Sequence, residues 1–128
     1  MERRRISSGA PWEQVAGYSR AVVAGPHVHV SGTVAVMPAG AEPPPDAEAQ
    51  ARRCFEIIFA ALREAGATPE DVVRTRMYLT RREDADDVLR VHGELFGEIR
   101  PATAAVVVQA LIDPRYVVEI EAEAVIDR

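Results

Sequence analysis

The last apolar segment of the chain carries a glutamate at every second position. Glu119, Glu121 and Glu123 would share one face of a β-strand, because strand side chains alternate between two faces. A row of carboxylates usually forms a solvated surface, which is our interpretation of Glu121 and Glu123. A carboxylate withdrawn from water instead has a raised pKa and can act as a general base. This row is therefore a candidate source of acid–base chemistry.

The other chemistry-bearing residues favour structural roles. His27 and His29 would share a strand face, but zinc requires three or four protein ligands, and His92 is the only other histidine. We therefore predict no metal and no cofactor. His92 is expected on a helix surface or at an interface rather than in a pocket. Cys54 falls on the apolar stripe of a predicted helix, where a small buried side chain is the expected role.

The composition bounds the class of protein. The 128 residues are 48% hydrophobic and 27% charged, which is typical of one globular domain, predicted to span residues 1–128. A net charge of −5 and few aromatic residues disfavour nucleic-acid binding. A single cysteine excludes a disulfide framework, and no apolar run reaches the roughly 18 residues of a membrane helix. We expect a cytoplasmic protein that does not bind membranes.

Hydrophobic periodicity predicts the order β-β-α-β-α-β-β, with a short additional strand at residues 4–7. In the second main strand, alternation places Thr33 on the polar face with His27 and His29. Helices on one face of a mixed sheet form an α+β architecture. The predicted strands are Arg20–Ala24, His27–Val36, Val72–Leu79, Thr103–Leu111 and Tyr116–Val125, and the predicted helices are Asp46–Ala65 and Asp84–Gly97.

One predicted strand indicates self-association. Residues Ala104–Val108 form a nearly continuous apolar run, and such a strand requires cover on both faces of the sheet. Two helices can cover only one face. A second copy of this chain is the simplest cover for the other, so we expect an oligomer.

Several segments, taken in order and spacing, resemble the Rid family (reactive intermediate deaminase, YjgF type). The resemblance runs from Gly17 to Val125. It implies a Rid/chorismate-mutase-like α+β fold and a homotrimer with a central barrel. It also implies small-molecule clefts between neighbouring subunits. The matching segments are Gly17–Ala21, Val30–Gly32, Asp71–Leu79, Arg100–Ala105 and Glu119–Ala122.

The resemblance also implies roles for individual residues. Tyr18 would line the ligand pocket, and the backbone at Gly32 would help to hold a ligand carboxylate. Glu119 matches the acidic residue that positions the water attacking an imine carbon. Thr103 and Ala105 fall where deaminating members have a carboxylate-binding arginine and often a cysteine.

Thr103 is the main departure from the family pattern. A threonine hydroxyl donates one hydrogen bond but carries no charge. Losing a charged, two-pronged contact to a carboxylate costs about 2–5 kcal/mol of binding at a desolvated site. Arg100, Arg20 and Arg115 are the candidates to compensate, although none occupies the family position.

The sequence and the resemblance together indicate two candidate functions. One is an enamine or imine deaminase, a hydrolase acting on C–N bonds, with weak or altered activity because of Thr103. The other is a non-catalytic trimer that binds a metabolite for a regulatory role. A ribonuclease, an activity also described for the family, is less favoured because the chain is acidic. Trp12 would be either a pocket lid or an interface anchor.

Overall fold

A six-stranded mixed sheet and two long helices form the molecule. The computed structural model describes residues 1–128. The strands follow the order β1-β2-β3-β6-β4-β5, with β4 and β5 parallel and all other neighbours antiparallel. The elements are β1 (Arg3–Ile6), α1 (Pro11–Ala16), β2 (Ala21–Ala24), β3 (His27–Thr33), α2 (Ala47–Glu64), β4 (Val72–Leu79), α3 (Ala85–Phe96), β5 (Ala102–Val107) and β6 (Val118–Val125).

The ends of α2 follow local sequence signals. The side chain of Asp46 accepts a hydrogen bond from the Ala49 backbone N–H at 3.0 Å, which satisfies one of the free donors at the helix start. Past the helix, Gly66 has a φ of 87°, a left-handed conformation that glycine adopts without strain. The predicted helix is confirmed to within a residue at each end.

The sheet has one covered and one open face. Along β6, Val118, Ile120, Ala122 and Ala124 are buried in the same core as the apolar faces of α2 and α3. The intervening glutamates point to the other face, which no helix of this chain covers. The α+β architecture predicted from the sequence is confirmed.

A β-bulge in β3 overturns the predicted alternation of this strand. Val30 pairs with Ala122 and Thr33 with Ile120, so three steps along β3 match two along β6. The extra residue turns Thr33 into the core, where it is fully buried. The prediction that Thr33 lies on the polar face was wrong, because a bulge shifts the side-chain period by one residue.

Strand β5 is shorter than predicted and is exposed along its whole length. It ends at Val107 rather than Leu111 and lies at the sheet edge, paired only with β4. Neither of its faces is packed within the chain, although its sequence is apolar.

The short helix α1 was not predicted, although Pro11 at its start and Gly17 at its end are recognised helix signals. No helix in the structure combines the length and the apolar character needed to cross a membrane.

Candidate active site

A cleft of about 920 Å³ lies where the end of β3 meets the start of β6. Most of its lining comes from four parts of the chain: the loop entering α1 with the start of that helix, the end of β3 with the residues that follow, two residues of α2 (Arg53 and Ile57), and the segment between β5 and β6. The predicted site residues Tyr18, Gly32 and Glu119 all line this cleft. The sheet therefore brings together three residues that are widely separated in sequence.

Gly32 and Glu119 make the closest contact of the site. A Cβ atom at residue 32 would overlap the Glu119 Oε2 atom and lie 3.1 Å from its Cδ. Because Gly32 belongs to the β3 bulge, its Cα faces the neighbouring strand where Glu119 projects. Only glycine leaves room for the carboxylate in this position.

The Glu119 carboxylate is half-buried and has no hydrogen-bond or ion-pair partner in the chain. Burial raises its pKa, and the charge of Glu121 raises it further, whereas Arg20 lowers it. A raised pKa brings a carboxylate closer to the range in which it exchanges protons at neutral pH. Glu119 has the environment expected of a general base.

The other two glutamates of the row both have hydrogen-bond partners. Tyr78 Oη donates to Glu121 Oε1 at 2.8 Å, and Arg76 Nη1 donates to Glu123 Oε1 at 3.0 Å. Their side chains keep about a third of their exposure. These two carboxylates form a polar network on the open face, and Glu119 lies outside it.

Arg20 contributes a cation to the same cleft. Its Nη2 donates to the Gly32 carbonyl oxygen at 2.6 Å, while its Nε is buried without a partner. Burial lowers the pKa of the guanidinium, and the nearby Tyr18, Glu13 and Glu119 oppose that shift. No carboxylate forms an ion pair with it.

Two further arginines line the cleft, and only Arg115 has an ion-pair partner. Arg115 pairs with Asp113 at 2.8 Å and with Glu42 at 3.3 Å. Arg53 donates from Nε to the Val36 carbonyl at 2.7 Å. Sequence reasoning considered Arg115 but overlooked Arg53, because no motif marks it. Arg100 does not line the cleft.

The aromatic wall is held by a buried glutamate. Glu13 accepts hydrogen bonds from the Ser7 hydroxyl at 2.8 Å and the Ser8 backbone N–H at 3.0 Å, and also binds the Ser8 hydroxyl. These hydrogen bonds tie the loop before α1 to the helix that carries Trp12 in the cleft wall. Trp12 is 67% exposed and Tyr18 is 41% exposed, so both rings are available to a ligand.

Thr103 and Ala105 do not line this cleft. They lie on β5, opposite Thr75 and Met77 in register, and both of those partners are fully buried on the helix-covered side. Glu119 projects from the other side and lies two strands away in the sheet order. One chain therefore cannot bring Thr103 and Glu119 into a single site.

His92 is buried within the chain, so the predicted helix-surface position was wrong. It lies on α3 with its ring centroid 4.7 Å from that of Phe96, and Thr75 Oγ1 is 2.8 Å from its Nε2. Thr75 in turn donates to Thr103 Oγ1 at 2.7 Å. Burial lowers the pKa of His92, because the charged ring would lack solvation.

Cys54, His27 and His29, the remaining candidate residues, lie outside the cleft lining. Cys54 is fully buried, as predicted, and burial raises the pKa of its thiol to about 12, so it remains protonated and unreactive. His27 and His29 are exposed. No cluster of three or more histidine, cysteine, aspartate or glutamate residues in the chain is arranged to hold a metal ion.

Comparison with known proteins identifies the family to which this fold and cleft belong. The sequence model of the family described as Endoribonuclease L-PSP matches residues 9–126. The chain belongs to this family, whose members are also named YjgF, RutC or Rid proteins. The resemblance identified in the sequence is confirmed.

Three relatives illustrate the similarity. A crystal structure of a Mycobacterium tuberculosis protein, described as a member of the YjgF/YER057c/UK114 family, superposes with a TM-score of 0.89 at 46% identity. It covers 98% of this chain and 100% of that one. An uncharacterized Streptomyces coelicolor protein is 42% identical over 94% of this chain and 90% of its own length. A RutC family protein of Pyrococcus abyssi is 38% identical over 84% of each chain. None of these three descriptions states a reaction.

Proposed function

We propose that this protein is a homotrimer whose clefts, formed between neighbouring subunits, hydrolyse small imines or enamines. Tyr18, Gly32 and Glu119 come from one subunit, and Thr103 and Ala105 from its neighbour. The observation that carries the proposal is the unpartnered, half-buried Glu119 carboxylate lying against Gly32 in an accessible cleft.

The trimer accounts for two features that a single chain leaves unexplained. The apolar strand β5 is exposed throughout, and Val106 and Val107 keep 47% and 54% of their exposure. Burying such a strand against a second copy removes apolar area from water. Thr103 and Glu119 lie on opposite sides of one sheet, so a site that contains both must be built from two chains.

The proposed chemistry uses Glu119 to orient and deprotonate water. The imine reacts as its N-protonated iminium form. The water oxygen bonds to the iminium carbon while one water proton passes to the carboxylate, and the C=N π electrons move to the nitrogen to give a neutral carbinolamine. The Glu119 carboxyl group then gives its proton to the nitrogen, and the C–N bond breaks with release of ammonia while the hydroxyl group loses its proton to the Glu119 carboxylate and becomes the carbonyl. An enamine enters the same path after its tautomerisation to the imine. The raised pKa of Glu119 suits these proton transfers.

Thr103 alters the substrate range of this reaction. The uncharged Thr103 hydroxyl already accepts a hydrogen bond from Thr75. Thr103 also stands where the pattern of deaminating family members has an arginine. We therefore expect slow turnover of imines that require a cation at that position to hold their carboxylate.

The alternative function is binding without catalysis, which the same substitution favours. Both functions use the same cleft, but only hydrolysis requires Glu119 as a base. A coupled assay separates them. An amino-acid oxidase generates the imine, and the release of 2-oxo acid or ammonia is followed with and without this protein.

The matched variants are Glu119→Gln and Glu56→Gln, which remove one negative charge each with little change in shape. Glu56 is an exposed residue of α2 outside the cleft. Acceleration that Glu119→Gln removes and Glu56→Gln retains supports hydrolysis. Acceleration that survives Glu119→Gln contradicts the proposed base, and no acceleration for any imine leaves the binding function.

A further inference from the structure

We propose that Arg20 is the anion-binding residue of the cleft and recognises a single carboxylate on the ligand, beside Gly32 and Glu119. This inference deepens the proposed function, because it names the chemical class of molecule that the same cleft accepts. It concerns binding, so it can fail or succeed independently of hydrolysis.

The hydrogen bonding of Arg20 leaves donors available. A guanidinium has five N–H donors, and the chain provides one acceptor, the Gly32 carbonyl oxygen at 2.6 Å. The Nε atom is buried with no partner, and no carboxylate lies within ion-pair distance. Buried polar groups in native proteins are almost always satisfied by protein, water or ligand.

The Gly32 contact also fixes the guanidinium in place. A side chain held at one nitrogen by a backbone carbonyl loses less rotational freedom when a ligand binds the others. The planar fork of arginine matches the two oxygens of a carboxylate. Arg20 is therefore preorganised for a carboxylate at the point where the bulge of β3 meets the cleft.

Glu119 disfavours a second carboxylate beside Arg20. Arg115 is neutralised by Asp113 and Glu42, so it offers little to a second anionic group. Glu119 is close enough to Arg20 for the two charges to shift each other's pKa, and it repels a second negative charge at a poorly screened site. The class of ligand is a small monocarboxylate whose uncharged end points along the aromatic wall.

A pair of probes isolates the carboxylate. Pyruvate and acetone are both methyl ketones, but pyruvate has a carboxylate where acetone has a second methyl group. A third probe, 2-oxoglutarate, carries a second carboxylate. Trp12 is the only tryptophan and lines the cleft, so its fluorescence reports occupancy of this site. We expect pyruvate to bind at least about tenfold more tightly than acetone or 2-oxoglutarate.

Three variants test the assignment. Arg20→Gln removes the charge but retains an amide that can donate to the Gly32 carbonyl, and it should abolish the preference for pyruvate. Arg20→Lys keeps the charge without the fork, and affinity should fall about tenfold. Arg63→Gln makes the same charge change at an exposed position of α2 outside the cleft, and it should bind pyruvate as the unmodified protein does.

The pyruvate affinity of the Arg20 variants decides whether Arg20 binds the carboxylate. The assignment is overturned if Arg20→Gln binds pyruvate within about twofold of the unmodified protein, or if pyruvate shows no binding up to about 10 mM. If Arg20→Gln does not fold, Arg20→Lys decides in its place, and unchanged affinity would overturn the assignment. Glu119→Gln should keep or strengthen pyruvate binding while losing hydrolysis, so failure of the base and failure of the anion site give different results.

Discussion

The Glu119 carboxylate lies against the Cα of Gly32, in the space that a side chain at residue 32 would fill. The β3 bulge creates this contact, and it lets a half-buried carboxylate sit on a strand surface without a polar partner. The glycine therefore controls where the proposed base is placed.

We expect Gly32→Ala to fold but to displace the carboxylate, because the obstructing atoms are the end of a flexible side chain. Turnover of any imine substrate should fall by about tenfold or more, since small displacements of a reacting group are costly. Gly93→Ala is the matched control, because Gly93 lies in α3 with nothing near its added methyl group. It should raise the free energy of unfolding by about 0.5–1 kcal/mol and leave turnover unchanged. Full turnover in Gly32→Ala would refute the positioning role of Gly32.

The trimer is tested by light scattering, which should give about three times the chain mass of 14.0 kDa. Val106→Lys places a charge on the exposed apolar strand β5 and should shift the protein towards monomers. Leu89→Lys makes a similar change on α3, where the side chain is 43% exposed, and should leave the assembly intact. A stable monomer of the unmodified protein at micromolar concentration would rule out the proposed site.

Thr103→Arg should increase the turnover of amino-acid-derived imines by at least about tenfold, because it adds a charged fork where Thr103 offers a hydroxyl. The coupled oxidase assay measures the change. Thr103→Val, which has nearly the same shape but no hydroxyl, should give no gain. If the unmodified protein already matches an arginine-bearing family member, Thr103 does not limit the reaction.

Glu119→Gln should raise the free energy of unfolding near neutral pH. The folded-state pKa of Glu119 is raised, chiefly by burial, so the folded state binds a proton more tightly than the unfolded chain. Stability is then greatest below the ordinary pKa of the carboxyl group and is lost as pH rises through the folded-state value. Urea unfolding of both proteins across this range should show a gain that grows with pH. A gain that is the same at every pH would mean that the charge of Glu119 is not its source.

Thr75→Val should cost about 1–3 kcal/mol of the free energy of unfolding, because it leaves the ring nitrogen of buried His92 without a partner. Replacing both partners in a Thr75→Val, His92→Phe double variant should recover most of that loss. Chemical denaturation of the single and double variants measures the coupling. Losses that simply add would indicate that the hydrogen bond does not stabilise the fold.

The sequence alone determined the two long helices, most of the strands and the family of this protein. The helix cap at Asp46, the glycine at Gly66 and the apolar periods of β4 and β6 are local signals, and each predicted its element almost to the residue. The family motifs likewise identified Tyr18, Gly32 and Glu119, which the fold brings to one cleft.

Only the tertiary structure decided what these residues contact. The bulge of β3 turned Thr33 inward, and α3 packed His92 into the core against an expectation of the surface. Glu119, Glu121 and Glu123 are equivalent in the sequence, yet two have partners on β4 and one faces a glycine beside Arg20. A side chain's pKa and free hydrogen-bonding capacity depend on neighbours across strands, and the local sequence pattern does not contain those neighbours.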